Sequence, residues 1–432
     1  MENLAFFSQM ISGFPGAHTV LTRTLPVKLT LNQVWQQALR VGSDLVRRRD
    51  DEVKAMLEGR PPQPPANAPD LVVISPDGGR IQDRSRPAGD RWCEYPTGPL
   101  HQPFGPAGKA AVVYRVAREE SAREGLRPDP QLAPHWRYRA GTDGFERVEA
   151  GKKLYSDPEP ETKTFTASTE TVERFPLMVE LEAKRRGMLQ AHTVCFVGDG
   201  GDFVWRTARE VCADRRARGG RVFEILDIIH AGEHVSDAAN AAFGATTEGA
   251  SWLNARLAEL WRGDAEELIR ALEAEALDLG PRPGAEKSAA RVVWNARDYF
   301  CEHRERIRYD AFRRHGLPLT SCHVESGIPV RQDRPDRRAD RTSGKQTNNR
   351  VHEGQVRRRG SYRTWKGSEK QWLLGNAEAM LALRCLALSE DGRWDGYFEG
   401  LRRGEVALPT PGRAARRPAA VLPLTRDLRK TG

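Results

Sequence analysis

The sequence predicts an α/β protein in which a mixed sheet with flanking helices is interrupted by an all-helical stretch. Three observations carry this. The apolar runs 71–75 (LVVIS) and 192–198 (HTVCFVG) each stop at Asp-Gly turn residues and read as buried strands. Helical apolar spacing lies between them over 171–189. From about 246 to 315 the spacing is helical alone, with Trp252, Leu257, Trp261, Leu268 and Leu272 marking the packed faces.

The elements follow in order. Leu31 to Leu57 spaces Val34, Ala38, Val41, Leu45, Val53 and Met56 at helical intervals among charges, which predicts an amphipathic surface helix. PPQPPANAPD (61–70) cannot continue it and reads as a stiff linker at a domain boundary. The first strand ends at Pro76-Asp77-Gly78-Gly79, and a second strand is expected over 110–117. Residues 119–169 are polar and poor in pattern, apart from an aromatic strand around His135–Arg139. The second apolar run ends at Asp199-Gly200-Gly201, and a third strand over 222–229 leads into HAGEHVSDAANAAFG, a helix with small residues.

The 432 residues are 39% hydrophobic and 29% charged, a globular composition long enough for two or three structural units. No apolar run approaches the roughly 18–20 residues of a membrane span. Glu2 and the lack of a basic N-terminal region predict no signal peptide. Six cysteines without a CxxC pair exclude a metal ribbon or disulfide scaffold and favour a reducing cytoplasm. The net charge of +9 is unevenly placed. Residues 331–370 hold 13 Lys/Arg against 5 Asp/Glu, and 401–432 hold 8 against 2. The rest of the chain is mildly acidic, so any attraction to nucleic acid is concentrated in two C-terminal stretches.

Three acids stand out: Asp77 in ISPDGG, Asp199 in FVGDGG and Glu325 in HVESGI. Each Asp-Gly pair alone is accounted for as a turn, since Asp accepts main-chain hydrogen bonds and Gly supplies positive φ. Together, carboxylates at the ends of adjacent buried strands plus a Glu on a distant helix make an acidic pocket. Such a pocket is costly unless divalent cations neutralise it. Two Mg²⁺ ions about 3.5–4 Å apart suit phosphodiester chemistry.

ISPDGG, FVGDGG, LDIIHAGEHV and HVESG, in that order, resemble DDE transposases with the RNase H-like fold. The nearest likeness is to bacterial insertion-sequence transposases of the Kra group, related to the Mutator-like type. GNAEAMLALRCLALSEDGRWDGYF (375–398) resembles the C-terminal end of the same group. The resemblance covers roughly 70–400, and its specific part is the motif order with a helical insertion before the last acid. It implies an RNase H-like mixed sheet and metal-dependent cleavage and strand transfer at element ends. Asp77, Asp199 and Glu325 would be the catalytic triad and the ligands of two Mg²⁺ (or Mn²⁺) ions. Asp227 and His230, in LDIIH, would support the pocket or contact DNA. The implied partners are the terminal inverted repeats and target DNA, with a homo-oligomer around paired ends and no membrane. The place of work would be the cytoplasm, on the nucleoid when bound.

The expected organisation is an N-terminal helical region (1–60), the linker (61–70), a first part of the catalytic core (71–230), the helical insertion (231–318) and a last part (319–330 with 364–400). A basic flexible segment (331–363) interrupts that last part, and a basic disordered tail (401–432) follows it. Members of the group often begin with a cysteine-bearing zinc element. No cysteine precedes Cys93 here, and the helix at 31–57 stands as a remnant of a DNA-binding region. In the resembling proteins a helix continues from the Glu. Here, between 330 and 359, the only large aliphatics are Val330, Val351 and Val356, too few to bury a face. Arg337, Arg338, Arg357, Arg358, Arg359 and Lys366 are candidates for phosphate contact. The same arginine richness fits a stretch read out of frame in GC-rich coding, which would leave an inactive copy.

Two rival readings use the same residues. His230-x-x-Glu233-His234 fits an inverted zinc-peptidase motif, with Glu302 or Glu305 as a third ligand; Gly232 weakens the helix it needs. A DNA-binding protein without catalysis would leave the acids as turn-formers. Gly198–Gly201 lacks the spacing of a phosphate-binding loop. Cys322 beside His323 reads as a buried structural cysteine.

Overall fold

The computed structural model describes residues 1–10, 14–26, 28–79, 81–83, 92–95, 105–106, 108–116, 136–142, 144–149, 155–282, 284, 288–327, 371–372 and 374–408. The chain begins with α1 (Glu2–Met10), α2 (Phe14–Thr24) and α3 (Leu31–Leu57). Strands β1 (Leu71–Gly79), β2 (Ile81–Asp83), β3 (Trp92–Tyr95), β4 (Gly105–Pro106) and β5 (Gly108–Val116) follow, then β6 (Trp136–Gly141), β7 (Gly144–Glu149) and β8 (Thr162–Ser168). Next come α4 (Phe175–Arg185), β9 (Thr193–Gly198), α5 (Asp202–Val211), α6 (Ala213–Ala217) and β10 (Val222–Leu226). A run of helices follows: α7 (Ile228–Phe243), α8 (Thr247–Arg262), α9 (Ala265–Asp278), α10 (Ala289–Glu302) and α11 (Tyr309–Arg314). The chain closes with α12 (Cys322–Gly327), β11 (Gln371–Trp372), α13 (Leu374–Leu388) and α14 (Arg393–Arg402).

The protein is α/β, built on a five-stranded mixed sheet in the order β10-β9-β1-β5-β8. β1 runs antiparallel to β5, and β5 to β8, while β9 is parallel to both β1 and β10. Leu71, Val72, Val73 and Ile74 are all fully buried, as a central strand covered on both faces must be. β9 is likewise buried at every position from Thr193 to Gly198.

β8 corrects the sequence reading, which found no strand there. Its TKTFTAS sequence hides an edge strand behind threonines. Thr164 is buried with its Oγ1 donating to Val113 O at 3.0 Å, and Phe165 and Ala167 reach the core. Threonine favours strands, and the polar look of the segment masked that preference.

α3 has the predicted bounds, opened by a capping box in which Thr30 and Gln33 satisfy each other's main-chain N–H. Its apolar face packs into the core, as the amphipathic spacing predicts. Gly42 lies against the Ala379 main chain of α13, and buried Asp44 accepts from Arg47, Arg48 and Tyr397. The helical block is as expected, joined by the β6–β7 hairpin. Trp136 of that hairpin lies over Gly232, and Asn254 of α8 bonds both the N–H and the C=O of Tyr138.

The tail expected from 401 onward begins inside the fold. α14 runs to Arg402, and Val406 packs against Gly400. The rest of that tail, the segment 331–363 and the start of the aromatic strand at His135 lie outside the described residues. Among the described residues no helix is long and apolar enough to cross a membrane.

Candidate metal centre

The register of the sheet brings the sequence-identified aspartates to one edge. β1 and β9 pair in parallel from Leu71 opposite Thr193 to Ile74 opposite Phe196. Counting three residues on from Ile74 and Phe196 arrives at Asp77 and Asp199. β9 and β10 pair up to Gly198 opposite Leu226, one residue short of Asp199 and Asp227. The Asp227 N–H donates to Gly198 O at 2.8 Å. The three acids therefore stand at one level at the C-terminal ends of three neighbouring parallel strands. In open α/β sheets this is the edge where ligands bind. Within β1, alternation of side chains places Asp77 on the face of Val73.

Asp77 and Asp199 are half-buried. Asp77 lies opposite Ala110 of β5. Asp199 follows the last residue of β9, and its Oδ1 accepts from Gly201 N at 3.1 Å. That turn leads directly into α5, whose first residue is Asp202. Gly200 has φ +93°, a conformation that favours glycine.

The helix carrying Glu325, α12, packs on the same face. Its His323 ring meets Tyr114 edge-on at 5.1 Å, and Tyr114 lies opposite Val73, which shares the Asp77 face. Glu325 itself is helical, and its side chain lies outside the described residues. Cys322, expected to be buried, is exposed at the start of α12.

The chain reaches α12 through residues 317–321, held from two sides. Tyr155 Oη donates to Leu317 O at 2.5 Å. The Asp157 carboxylate accepts from Leu319 N (2.9 Å), Thr320 N (3.1 Å) and Thr320 Oγ1 (2.5 Å). Asp227 Oδ2 accepts from Ser321 N and Ser321 Oγ, both at 2.6 Å, while Oδ1 caps α7 through Ile229 N at 2.7 Å. Asp227 is 2% exposed and engaged on both oxygens. Burial pushes its carboxyl above the ordinary range, and the His230 charge and the Ser321 bonds pull it back. Burial also raises Asp157, against the pull of its Thr320 and Leu319 bonds.

His230, Glu233 and His234 lie on α7, which is helical through Gly232. His230 Nδ1 is 3.3 Å from Glu233 Oε2. His234 stacks on Tyr299 at 3.9 Å between ring centres, and burial holds its imidazole below the usual range. Glu302 ends α10, and Glu305 pairs with Arg308 at 2.7 Å. Among the described residues no three of His, Cys, Asp and Glu gather as metal ligands. Arg337, Arg338, Arg357, Arg358, Arg359 and Lys366 lie outside the described residues.

Asp157, Ser321, Tyr299 and His303 escaped the sequence reading. Asp157 stands among prolines in a stretch without pattern, and the others look like ordinary helix or loop residues. No protein-family model, curated protein or solved structure matches this chain.

Proposed function

We propose that the chain is a DDE-type DNA transposase with an RNase H-like catalytic core, cleaving and joining DNA strands at the ends of an insertion sequence. One observation carries this reading: Asp77 and Asp199 reach the same level on neighbouring parallel strands, with the helix of Glu325 packed on the Asp77 face. The mixed sheet, the helical insertion and the motif order support the finer fold assignment.

The donor set fits Mg²⁺ or Mn²⁺, because it is made of carboxylate oxygens alone. Asp77, Asp199 and Glu325 would hold two ions. Bound there, such ions lower the cost of an attacking and a leaving oxygen in phosphodiester chemistry. The chain's own part is orientation. Asp77 is held by the β1–β5 ladder and Asp199 by its turn to Gly201. Asp227 and Asp157 fix the segment from which α12 starts. In the first reaction a water attacks the phosphodiester at the element end. In the second the freed 3′-hydroxyl attacks a phosphodiester of target DNA, and the target strand's own 3′-oxygen leaves and takes up the proton. The basic stretches 331–370 and 401–432 would attract the phosphates, and a homo-oligomer would pair two ends. The zinc-peptidase reading draws no comparable support, since His234 is stacked on Tyr299 and Glu305 is engaged by Arg308.

The test is strand nicking of an element-end duplex with Mg²⁺, comparing the parent with Asp77→Asn and Asp199→Asn. We expect loss of nicking by a factor on the order of 10² or more with DNA binding retained. Equal nicking by parent and Asp199→Asn overturns the assignment. Zinc-dependent peptide cleavage without nicking overturns the whole reading.

A further inference from the structure

The end of α10, which belongs to the helical insertion, closes on the loop that carries Asp199. Tyr299 and His303 are four residues apart and share a face. Tyr299 Oη donates to the Asp199 carbonyl at 3.1 Å. His303 meets the Tyr299 ring edge-on at 4.6 Å between ring centres. Arg306 Nη1 stands 3.0 Å from His303 Nδ1. A guanidinium only donates, so Nδ1 is the acceptor and the neutral ring carries its proton on Nε2. Gly200 approaches so closely that a Cβ there would lie 2.3 Å from Tyr299 Oη. Each clamping residue is itself held. His234 of α7 stacks on Tyr299, and Arg306 is braced by Glu224 at 2.8 Å and lies over the Trp205 ring at 4.3 Å.

We propose that Tyr299, braced by His303, is a positioning residue through which the helical insertion fixes the Asp199-Gly200 peptide and so the direction of the Asp199 carboxylate. This rests on the transposase reading. The physical need is plain. β9 ends at Gly198, so the sheet ladder no longer restrains Asp199, and the next residue is a glycine with wide conformational freedom. A carboxylate displaced by about 1 Å from a reacting phosphate loses rate on the order of 10²-fold. The Tyr299 hydrogen bond and its close approach to Gly200, both from one helix face, restrict that freedom. They also make the insertion part of the reaction geometry and not only a DNA-packing surface.

Tyr299→Phe is the sharpest probe, because it keeps the ring and its stack on His234 and removes only Oη. We expect kcat for Mg²⁺-dependent nicking to fall about tenfold, with KM for DNA unchanged. Mn²⁺ affinity, measured by calorimetric titration without DNA, should weaken several-fold, with the melting temperature close to the parent's. His303→Gln, which can still accept and donate, should retain more nicking than His303→Leu. Parent-like kcat and Mn²⁺ affinity in Tyr299→Phe overturn the inference. So does a parallel fall of kcat, DNA affinity and melting temperature, which would mark a merely structural role. If the parent nicks and Asp199→Asn does not, either result leaves the transposase reading standing. If the parent never nicks, that reading fails, and the Mn²⁺ titration of Tyr299→Phe alone decides the inference.

Discussion

Asp227 and Ser321 are 94 residues apart in sequence, yet one carboxylate oxygen accepts from both the N–H and the Oγ of Ser321 at 2.6 Å. The other oxygen caps α7. A single buried side chain thus ties the end of β10, the start of α7 and the start of α12. An amide at 227 would turn one of these acceptors into a donor facing another N–H. Asp227→Asn should therefore destabilise by about 2–4 kcal/mol, and Ser321→Ala by about 1 kcal/mol. Urea unfolding of both and of the double variant checks this. The double variant should cost less than the sum, because the partners share the interaction. A parent-like midpoint for Asp227→Asn would remove the clamp from the account.

Glu378 and Arg49 make a comparable joint on the opposite face of the sheet. Glu378 accepts from Arg49 (2.8 Å), Ser168 Oγ (2.7 Å), Thr169 N (2.6 Å) and Thr169 Oγ1 (2.7 Å). Burial alone would raise its carboxyl, but the Arg49 charge and the Thr169 and Ser168 bonds hold it below the ordinary range. Arg49→Met would strand that charge and should cost about 3–5 kcal/mol. Adding Glu378→Gln to Arg49→Met should recover part of the loss in the same unfolding measurement.

How far the sequence disclosed all this depends on whether a feature is local. β1, β9 and α3 were legible because apolar runs and helical spacing are written in consecutive residues. β8 was not, because its burial comes from neighbours on β5 and α13 and not from its own composition. Asp77 and Asp199 were legible as a pair of Asp-Gly turns. Their common level follows from strand register, which no single segment encodes. Asp157 had no signal at all, since its partners are main-chain groups 162 and 163 residues away. Tyr299 and His303 were hidden among aromatics that a helical pattern explains as core. The basic candidates from Arg337 to Lys366 lie outside the described residues, and there the sequence is the whole argument.

Gly42 offers a test of the α3–α13 contact. It sits in mid-helix, where glycine costs about 0.5–1 kcal/mol relative to alanine, so an isolated helix would gain from Gly42→Ala. In the fold a Cβ there would lie 2.2 Å from Ala379 O, main chain that cannot simply rotate away. The substitution should therefore destabilise by roughly 1–3 kcal/mol, as overpacking does. A raised midpoint on urea unfolding would show that α3 does not rest on α13 there.

The basic segment makes a separable claim about affinity. If residues 335–360 contact phosphates, their deletion should lower affinity for duplex DNA and flatten the dependence of log K on log salt. Fluorescence anisotropy at several salt concentrations reads both. Unchanged affinity and slope would favour the out-of-frame reading of that stretch.

Lys109 carries the clearest pH signature. It is 3% exposed on β5, with Nζ donating to Glu170 O at 2.6 Å. Burial pulls its pKa from 10.5 to about 8, partly offset by the charges of Glu378, Glu173 and Glu170. Between about 8 and 10.5 the unfolded chain then binds more protons than the folded one, so this group makes stability rise with pH across that window. Below pH 8 the burial penalty is fully present. Lys109→Met removes the penalty and forfeits one hydrogen bond, so at pH 7 it should stabilise by about 1–2 kcal/mol. Its advantage over the parent should shrink as pH climbs toward 10.5. Urea midpoints of parent and variant, taken side by side from pH 7 upward, cancel the other titrating groups. A constant difference between the two would mean that Lys109 is not held against its charge.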